Sequence, residues 1–380
     1  MPNIRRFHLD VPDAVINRIR KRVAEFPWHE MPDDGGWQYG ANLDYMKALC
    51  AYWVDAYDWR AHETRLNAFA HYLTEIDGMD VHFIHEPGDG DAMPLILSHG
   101  WPGSVVEFFN IIEPLAHPRL FGGDARDAFH VIAPSLPGFG FSSRPPRPWG
   151  PRKMAALFNK LMVDALGYDG YLAQGGDWGG AISSWLGFEH AACRAIHINI
   201  FTMRHPDGPA SAAEKAWAKQ FKLDQQAEDG YRTQQATKPQ TLSYAMMDSP
   251  VGVAAWLIEK FNSWSDTDGD DIESAHSKDD LLTNIMVYLI TATFNTASWI
   301  YYGRREEGGR ILSAQGKRVE VPTAAALFPK ELLAWPPRTY ADRVYNIKRW
   351  TKMPRGGHFA AMEEPELLIE DIRAFARTLR

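Results

Sequence analysis

The spacing of apolar positions changes near residue 79 and divides the chain into a helical first part and an alternating second part. Before that point, apolar residues recur at helical spacing directly after Pro12, at Val15, Ile16, Ile19 and Val23. A second helix is predicted over about residues 43–56. Four tryptophans favour an extension that is anchored to a larger body: Trp28, Trp37, Trp53 and Trp59.

From residue 79 onward, short apolar runs predict buried strands at 81–84, 94–98, 129–133, 171–173 and 195–198. Helices between them are predicted to start near Ser104, Arg152 and Gly179. Strands that alternate with helices indicate an α/β fold with a mostly parallel sheet and helices on both of its faces. In such sheets, ligands bind at the carboxyl ends of the strands.

Residues 205–310 interrupt this alternation with helical material. A helical insertion midway through an α/β sheet predicts a cap over the ligand site. The alternation resumes with a strand candidate at 319–325. We therefore expect four segments along the chain: an N-terminal extension at 1–78, a first core part at 79–204, the cap at 205–310 and a second core part at 311–380.

Composition limits the classes of function. The formal net charge of the 380 residues is -8, which favours neither nucleic acid nor an anionic membrane as a partner. The two cysteines, Cys50 and Cys193, offer no zinc spacing and no disulfide framework, which fits a reducing cytoplasm. No apolar run follows Arg5-Arg6 as it would in an export signal, and none reaches the roughly 18 residues of a membrane span. We expect a cytoplasmic protein.

Asp177 is the first candidate for chemistry. The strand candidate at 171–173 runs into Gly175-Gly176-Asp177-Trp178-Gly179, and helix-compatible residues follow. This order of strand, glycine-rich turn and helix is typical of a nucleophile elbow, in which a strained turn exposes its central side chain. A surface β-turn that carries an acid is the simpler interpretation of these few residues. With Asp at the tip, attack would fall on an electrophilic carbon and leave an ester on the enzyme.

His358 is the candidate base. It follows Gly356-Gly357 and precedes the last amphipathic helix, so the glycine pair could deliver its imidazole into a cleft. A neutral imidazole could activate water against the ester, and a carboxylate should hold its other ring nitrogen. The spacing leaves four candidates for that acid: Glu331, Asp342, Glu363 and Glu364.

Two backbone N–H groups are candidates for an oxyanion hole. The loop His99-Gly100-Trp101-Pro102-Gly103 follows the strand at 94–98, and such a loop supplies one donor while the residue after the nucleophile supplies the other. We assign these donors to Trp101 and Trp178. Pro102 cannot donate, since it has no N–H.

These motifs resemble those of α/β-hydrolase-fold epoxide hydrolases of the microsomal type, which include the juvenile-hormone epoxide hydrolases. The resemblance covers nearly the whole chain, including Trp37-Gln38-Tyr39-Gly40 in the extension, and rests on three motifs in the family's order: 99–102, 175–179 and 356–361. It implies that Asp177 is the nucleophile, His358 the base and Glu331 the acid, because the family's acid lies in a Phe-Pro-x-Glu-Leu-Leu segment like 328–333.

The resemblance also implies two cap tyrosines that bind the epoxide oxygen. Tyr231 matches the first, and the segment 298–302 matches the second. Tyr302 fits the register of that segment best, with Tyr301 as the alternative. The hydrophobic N-terminal anchor of the membrane-bound relatives has no counterpart here, so membrane attachment is not expected.

The preferred hypothesis is hydrolysis of an apolar epoxide to a vicinal diol, with no cofactor and no metal. A haloalkane dehalogenase shares the Asp nucleophile and the ester intermediate, but a halide leaves without a proton and needs no tyrosine pair. A non-catalytic ligand-binding protein on the same fold is the third hypothesis. It would usually have lost the nucleophile or the base, and both are present here.

Overall fold

The computed structural model describes residues 3–32, 35–309 and 318–380. Within these ranges, nine strands form one sheet. Their bounds are β1 Arg5–Arg6, β2 His71–Ile76, β3 Met79–Glu86, β4 Met93–Ser98, β5 Phe129–Pro134, β6 Tyr171–Gly175, β7 Cys193–Ile198, β8 Val319–Leu327 and β9 Tyr345–Lys352.

The sheet is antiparallel at one edge and parallel through its centre. The strand order is β1-β2-β3-β5-β4-β6-β7-β8-β9. Strands β1 to β3 and the β3–β5 pair are antiparallel, whereas every pair from β5 to β9 is parallel. The chain passes from β4 to β5 on one side and then to β6 on the other. The carboxyl ends of β4 and β6 therefore border the point where the direction of winding reverses, which is where α/β sheets bind ligands.

The helices fall into three groups along the chain. Those of the extension are α1 Asp13–Ala24, α2 Leu43–Asp55 and α3 Trp59–Asn67. Those of the core are α4 Phe109–Ala116, α5 Pro151–Lys160 and α6 Asp177–Glu189, and, after the cap, α13 Arg338–Val344, α14 Ala360–Glu363 and α15 Pro365–Ala376. The segment predicted as the cap contains α7 Ala212–Ala227, α8 Asp229–Thr237, α9 Pro239–Met246, α10 Pro250–Trp264, α11 Lys278–Ile290 and α12 Phe294–Glu306.

The extension is bound to the cap as well as to the core. Trp53 and Trp59 are buried in the common hydrophobic core, as expected for anchors, whereas Trp28 is exposed and packs edge-on against Phe26. Polar contacts reach the cap from α2 and from the segment before it: Tyr52 Oη donates to Asp279 Oδ1 at 2.8 Å, and Trp37 Nε1 donates to Asp270 O at 3.1 Å.

The sheet predicted from the sequence is confirmed, with differences at its edges. Each predicted strand falls within an observed one, and the mostly parallel sheet with helices on both faces is present. Strands β1 and β2 lie within the range assigned to the extension, and polar residues at buried positions of β2 obscured its alternation: His71 and Thr74 are both buried. The expected boundary between cap and second core part, at 310/311, lies outside the described residues.

None of the described helices combines the length and the apolar character that crossing a membrane requires.

Candidate active site

Asp177 lies at the tip of a sharp turn between β6 and α6. Its φ is +44°, a left-handed conformation that costs a non-glycine residue about 1–3 kcal/mol. Glycines on both sides make the turn possible. A Cβ on Gly175 would come 2.2 Å from the Gly179 carbonyl carbon, and a Cβ on Gly179 would come 1.7 Å from Ser98 O. The turn thus has the geometry of a nucleophile elbow and presents the Asp177 carboxylate above the end of β6.

The loop after β4 supplies a backbone donor to this carboxylate. Trp101 N–H donates to Asp177 Oδ1 at 2.8 Å. Gly100 permits the approach, since a Cβ there would come 2.1 Å from the same oxygen. Trp178, the second expected donor, lies in the first turn of α6, where backbone N–H groups have no partner within the helix.

Helix α11 of the cap fixes the loop that carries Trp101. Asn284 Nδ2 donates to Pro102 O at 2.9 Å, and Tyr288 Oη donates to Gly103 O at 2.7 Å. All four groups are buried, so these bonds are protected from competition with water. The position of the backbone donor therefore depends on the cap as well as on the core.

His358 lies between Asp177 and Glu331. Its Nδ1 is 3.1 and 3.0 Å from the two carboxylate oxygens of Glu331. Its Nε2 is 3.4 Å from Asp177 Oδ2. The side chains of His358 and Glu331 are each 1% exposed. This is the order of groups in a nucleophile–base–acid triad.

Among the four acids that the sequence left open, Glu331 is the one that reaches the imidazole. Asp342 Oδ1 accepts instead from Arg338 Nε at 2.8 Å. Glu364 pairs with Arg355 at 2.5 Å. Glu363 binds backbone N–H groups on either side of His358, as described below.

A short β-bridge brings the acid and the histidine together. Lys330 and Gly357 pair in parallel, and Lys330 N–H donates to Gly356 O at 3.1 Å. Glu331 and His358 are the residues that directly follow the two bridged positions. The two loops after β8 and β9 are thereby held in register, and their side chains meet at the carboxyl edge of the sheet.

The charges around His358 favour its protonated form. Burial opposes protonation, but Glu331 and Asp177 outweigh it and raise the pKa of the imidazole well above its usual value. Conversion of Asp177 to a neutral ester would remove one of these two charges. The pKa of His358 would then fall, which would free the imidazole to act as a base.

Two cap tyrosines face Asp177 across the cavity. Tyr231 lies on α8 and Tyr301 on α12; their rings are 5.7 Å apart at 86°, and their side chains hydrogen-bond to each other. Burial, followed by the nearby Tyr231 and Asp177, raises the pKa of Tyr301 well above its usual value. Tyr301 therefore carries its proton at neutral pH and can donate it.

The assignment of Tyr302 to this cavity was wrong. Tyr302 lies in a separate surface cleft that it shares with Thr237, Lys238, Arg305 and Glu306. Successive residues on an α-helix are rotated by about 100°, so that Tyr301 faces the Asp177 cavity and Tyr302 faces away from it. The alternative residue, Tyr301, lines the cavity together with Tyr231.

A cavity lies above Asp177. Its floor is Asp177 with Trp178, and the two tyrosines form part of its wall. Most of the remaining wall is apolar or aromatic, and it comprises Pro151, Ala181, Trp185, Ile200, Met203, Leu332 and Leu333. Polar side chains contribute at one part of the lining: Thr202, Gln225, Glu228, Arg232 and Arg304.

A second, narrower cavity lies on the histidine side of Asp177. Asp177 and His358 both line it, together with Glu107, Gln174 and Asn199. Burial raises the pKa of Glu107 to about 8, against an opposing effect of His358. At neutral pH this carboxyl group is therefore mostly protonated and can donate a hydrogen bond into the cavity.

Sequence reasoning missed Glu107. The signal was available, because Glu107 is the lone acid in the apolar run 105–109. A single charged residue in a predicted buried segment needs a partner or a neutral state.

Glu363 anchors the loop that carries His358. Its Oε2 accepts from Gly357 N–H at 2.9 Å and from the cap residue Asp266 N–H at 2.8 Å, and its Oε1 accepts from Phe359 N–H at 2.8 Å. The cap also accepts directly from His358, whose N–H donates to Trp264 O at 2.9 Å. Burial raises the pKa of Glu363 to about 7, although these backbone donors oppose the shift. The base is thus positioned by the cap and the core together.

Comparison with known families agrees with this geometry. Residues 4–108 match the family model described as "Epoxide hydrolase N terminus", and residues 93–264 match the model described as "alpha/beta hydrolase fold".

Individual proteins are similar over almost the entire chain. A putative epoxide hydrolase of Stigmatella aurantiaca is 39% identical over 98% of this chain and 85% of that protein. Juvenile hormone epoxide hydrolase 2 of Ctenocephalides felis is 34% identical over 97% of this chain and 84% of that protein. The structure of Aspergillus niger epoxide hydrolase superposes with a TM-score of 0.86 at 30% identity and covers 100% of this chain and 97% of that one. The chain therefore belongs to the epoxide hydrolase family of the α/β-hydrolase fold, in the group that includes the juvenile hormone epoxide hydrolases.

Proposed function

We propose that this enzyme hydrolyses an apolar epoxide to a vicinal diol through an ester on Asp177. The observation that carries the proposal is the position of Asp177 between two cavities. On one side a largely apolar cavity ends at two phenols; on the other, a narrow cavity contains the imidazole of His358. A nucleophile that is approached by an epoxide from one side and by water from the other fits this arrangement.

In the first step, Asp177 Oδ2 attacks an epoxide carbon while Oδ1 stays bound to the Trp101 N–H. The carbon–oxygen bond of the ring breaks, and its electron pair goes to the departing oxygen. An alkoxide leaves poorly unless it is protonated, so Tyr231 and Tyr301 hydrogen-bond this oxygen and one of them transfers its proton. The product is a hydroxyalkyl ester of Asp177.

In the second step, water attacks the ester carbonyl carbon. His358 Nε2 takes a proton from the water, and Glu331 stabilises the imidazolium that forms. The negative charge on Oδ1 is held by the N–H groups of Trp101 and Trp178, and one such donor contributes roughly 3–4 kcal/mol. Cleavage of the bond to the alkyl oxygen releases the diol, which takes a proton from His358. The second proton of the water, left on Asp177, returns to the tyrosinate formed in the first step, so that the Asp177 carboxylate and both phenols are restored.

The charge on Asp177 changes between the two steps, and this change affects the pKa of His358. The negative charge on Asp177 helps to raise the pKa of His358 in the free enzyme. Ester formation neutralises that carboxylate, which lowers the pKa of His358 just when a base is needed. Glu107, protonated at neutral pH, offers a donor that orients the water in the narrow cavity.

The lining of the larger cavity supports an apolar body for the substrate. Aliphatic and aromatic side chains from α6, from the segment after β7 and from the loop after Glu331 surround the space above Asp177. Burial of a hydrocarbon chain or an aryl ring there contributes about 25 cal/mol per Å² of apolar surface. Substrates with a charge next to the epoxide would lose that contribution.

We also propose the roles of the segments and the compartment. Residues 205–310 act as the cap, since α8 and α12 supply the two tyrosines, and residues 1–78 act as an extension that binds cap and core. Cys50 and Cys193 are both buried and unpaired, which supports the inference of a reducing compartment such as the cytoplasm.

Product analysis tests the function. The enzyme is given an aryl-substituted epoxide such as styrene oxide and, separately, a haloalkane of similar size. We expect diol from the epoxide, no halide release from the haloalkane and no diol with Asp177→Ala. Halide release without diol formation would favour the dehalogenase. Diol formation by a folded Asp177→Ala variant would exclude the ester route.

A further inference from the structure

A buried lysine lies beside one of the two cap tyrosines. Lys260, on α10, has a side chain that is 9% exposed, and its Nζ is 2.9 Å from Glu228 Oε2 and 2.5 Å from Glu259 Oε2. Lysine is rarely buried in this way unless it is paired. The two carboxylates explain how a buried ammonium group is tolerated in the cap, but they do not explain why Lys260 lies next to Tyr231.

The Lys260 ammonium lies against the aromatic wall of the substrate cavity. Its Nζ is 4.8 Å from the centroid of the Tyr231 ring and 5.7 Å from that of Trp264. Both distances are within the roughly 6 Å at which a cation is attracted to an aromatic face. Glu228 Oε2 also accepts from Trp264 Nε1 at 3.1 Å, so one carboxylate fixes both the cation and the indole beside Tyr231.

We propose that Lys260 is a positioning residue for ring opening: its ammonium, held over Tyr231, makes the Tyr231 hydroxyl a stronger acid toward the epoxide oxygen. This inference rests on the proposed function, in which Tyr231 donates to that oxygen. A positive charge at this distance stabilises the phenolate more than the neutral phenol, because only the phenolate carries a full negative charge. It also holds the ring in place through the cation–ring contact.

Two arginines also line the cavity beside Tyr231. From α8 itself, Arg232 is paired with Asp229. From α12, Arg304 lies 5.9 Å from the Trp178 ring. Residues 239–246 of α9 include no charged side chain.

The negatively charged and neutral groups near Tyr231 can also be named. Glu228 and Glu259 are the partners of Lys260, and Asp177 lies across the cavity. Tyr301, the phenol that shares a hydrogen bond with Tyr231, has no such cation among the cation–ring contacts of the described residues. The two phenols are therefore unequal, although both contact Trp101: Tyr231 lies next to the ammonium, whereas Tyr301 lies next to Trp178.

The rate of ester formation against pH tests this role. Lys260→Met removes the charge and keeps an unbranched apolar side chain. We expect single-turnover ester formation to slow about 5- to 30-fold, which corresponds to the loss of one desolvated cation–ring contact. The alkaline limb of its pH profile should move to higher pH, because a phenol without the cation loses its proton later. Lys260→Arg should restore most of the rate, and ester hydrolysis should stay unchanged in both variants.

The chain offers a matched control. Lys278 Nζ is 5.8 Å from the centroid of the Tyr52 ring and pairs with Glu273 at 2.5 Å, and none of these three residues lines the substrate cavity. Lys278→Met removes a similar contact and should leave both steps and the pH profile as they are. Lys260→Met leaves carboxylates in the cap without their cation. A double variant, Lys260→Met with Glu228→Gln, leaves one fewer of them and should slow ester formation to the same extent as Lys260→Met alone.

Double variants separate this inference from the proposed function. In a Tyr231→Phe background, Lys260→Met should have no further effect on ester formation, whereas in a Tyr301→Phe background its effect should persist. If Tyr231→Phe alone leaves ester formation unchanged, the ring-opening role of Tyr231 fails. Two results would overturn the role of Lys260 while Tyr231→Phe still slows ester formation. In the first, Lys260→Met alone has no effect. In the second, Lys260→Met slows ester formation by the same factor in the Tyr231→Phe background as in the parent enzyme.

Discussion

Adjacent tyrosines on a helix cannot both face one reactant, and the pair at Tyr301 and Tyr302 shows why a motif does not resolve them. The segment match in the sequence fits either residue. The choice depends on which face of α12 lies over Asp177, and this is decided by packing against α8 and α9. Tyr301 is 3% exposed and lies against Trp101 and Trp178, whereas Tyr302 lies in the outer cleft.

The two residues form a matched pair for mutation. Tyr301→Phe removes a proton donor from the cavity, and we expect ester formation to slow about 10²-fold or more, the lower end of what general acid catalysis contributes. Tyr302→Phe removes an equivalent hydroxyl from the outer face and should stay within about twofold of the parent rate. Stopped-flow tryptophan fluorescence during a single turnover measures both. A larger loss for Tyr302→Phe would contradict the assignment of Tyr301.

Among the structural elements, the loop between β9 and α14 both carries His358 and binds the end of α10. Its backbone N–H groups donate to three places: the Glu363 carboxylate, the Asp266 carboxylate and the Trp264 carbonyl. Gly357 is needed for this contact, because a Cβ there would come 2.6 Å from Trp264 O. The end of α10 and the loop that carries His358 are therefore held together by direct backbone contacts.

Two neighbouring acids test this coupling. Glu363 is buried and binds the loop, whereas Glu364 lies nearer the surface and pairs with Arg355. Glu363→Gln replaces one acceptor oxygen by an NH₂ group that would face backbone donors. We expect it to slow ester hydrolysis at least tenfold, to affect ester formation less and to shift the pH dependence of hydrolysis.

Glu364→Gln is the control and should leave both steps within about twofold of the parent. Rapid-quench measurement of the ester by intact mass separates the two steps. Equal slowing of formation and hydrolysis by Glu363→Gln would indicate a general loss of structure and would contradict a specific role in positioning His358.

Several of these elements could be predicted from the sequence, and others could not. Strands β4 to β7 contain short, mostly apolar runs, and β6 leads into the glycine-rich turn at Asp177, so local patterns were sufficient to predict them. Strand β2 was missed, since His71 and Thr74 occupy buried positions. Glu107 and Lys260 were missed for another reason. Their roles depend on which distant side chains pack against them, and a linear pattern does not contain that information.

At the scale of the whole molecule, the core buries several histidines in a neutral state. His82 lies in a chain of contacts in which its Nε2 is 2.8 Å from His71 Nδ1 and its Nδ1 is 2.9 Å from Ser135 Oγ. Burial lowers the pKa of His99 and of His276 to about 4. Seven described histidines have a lowered pKa for this reason: His71, His82, His85, His99, His130, His190 and His276.

These shifts predict a loss of stability in mild acid. A histidine whose pKa is lower in the folded state takes up protons first in the unfolded state, so its contribution is complete above about pH 6.5 and is lost as the pH falls toward about 4. Three buried carboxyls with raised pKa, Glu107, Glu307 and Glu363, act in the opposite sense but are fewer. We expect the free energy of unfolding to fall by several kcal/mol, on the order of one per unit of pKa shift, between those pH values.

Urea denaturation at a series of pH values measures this dependence. His276→Asn should reduce the slope between pH 6.5 and 4.5, whereas His29→Asn, at an exposed position, should leave it unchanged. A free energy of unfolding that stays constant or rises as the pH falls through this range would contradict the interpretation.

The central claim is that the Asp177 carboxylate bonds to the substrate. A single turnover in ¹⁸O-water, with enzyme in excess over a styrene oxide-like epoxide, tests it most directly. We expect an unlabelled diol from the first turnover, with the label appearing in the Asp177 side chain and reaching the diol only in later turnovers. A first-turnover diol that carries the full ¹⁸O label, with none in Asp177, would contradict it.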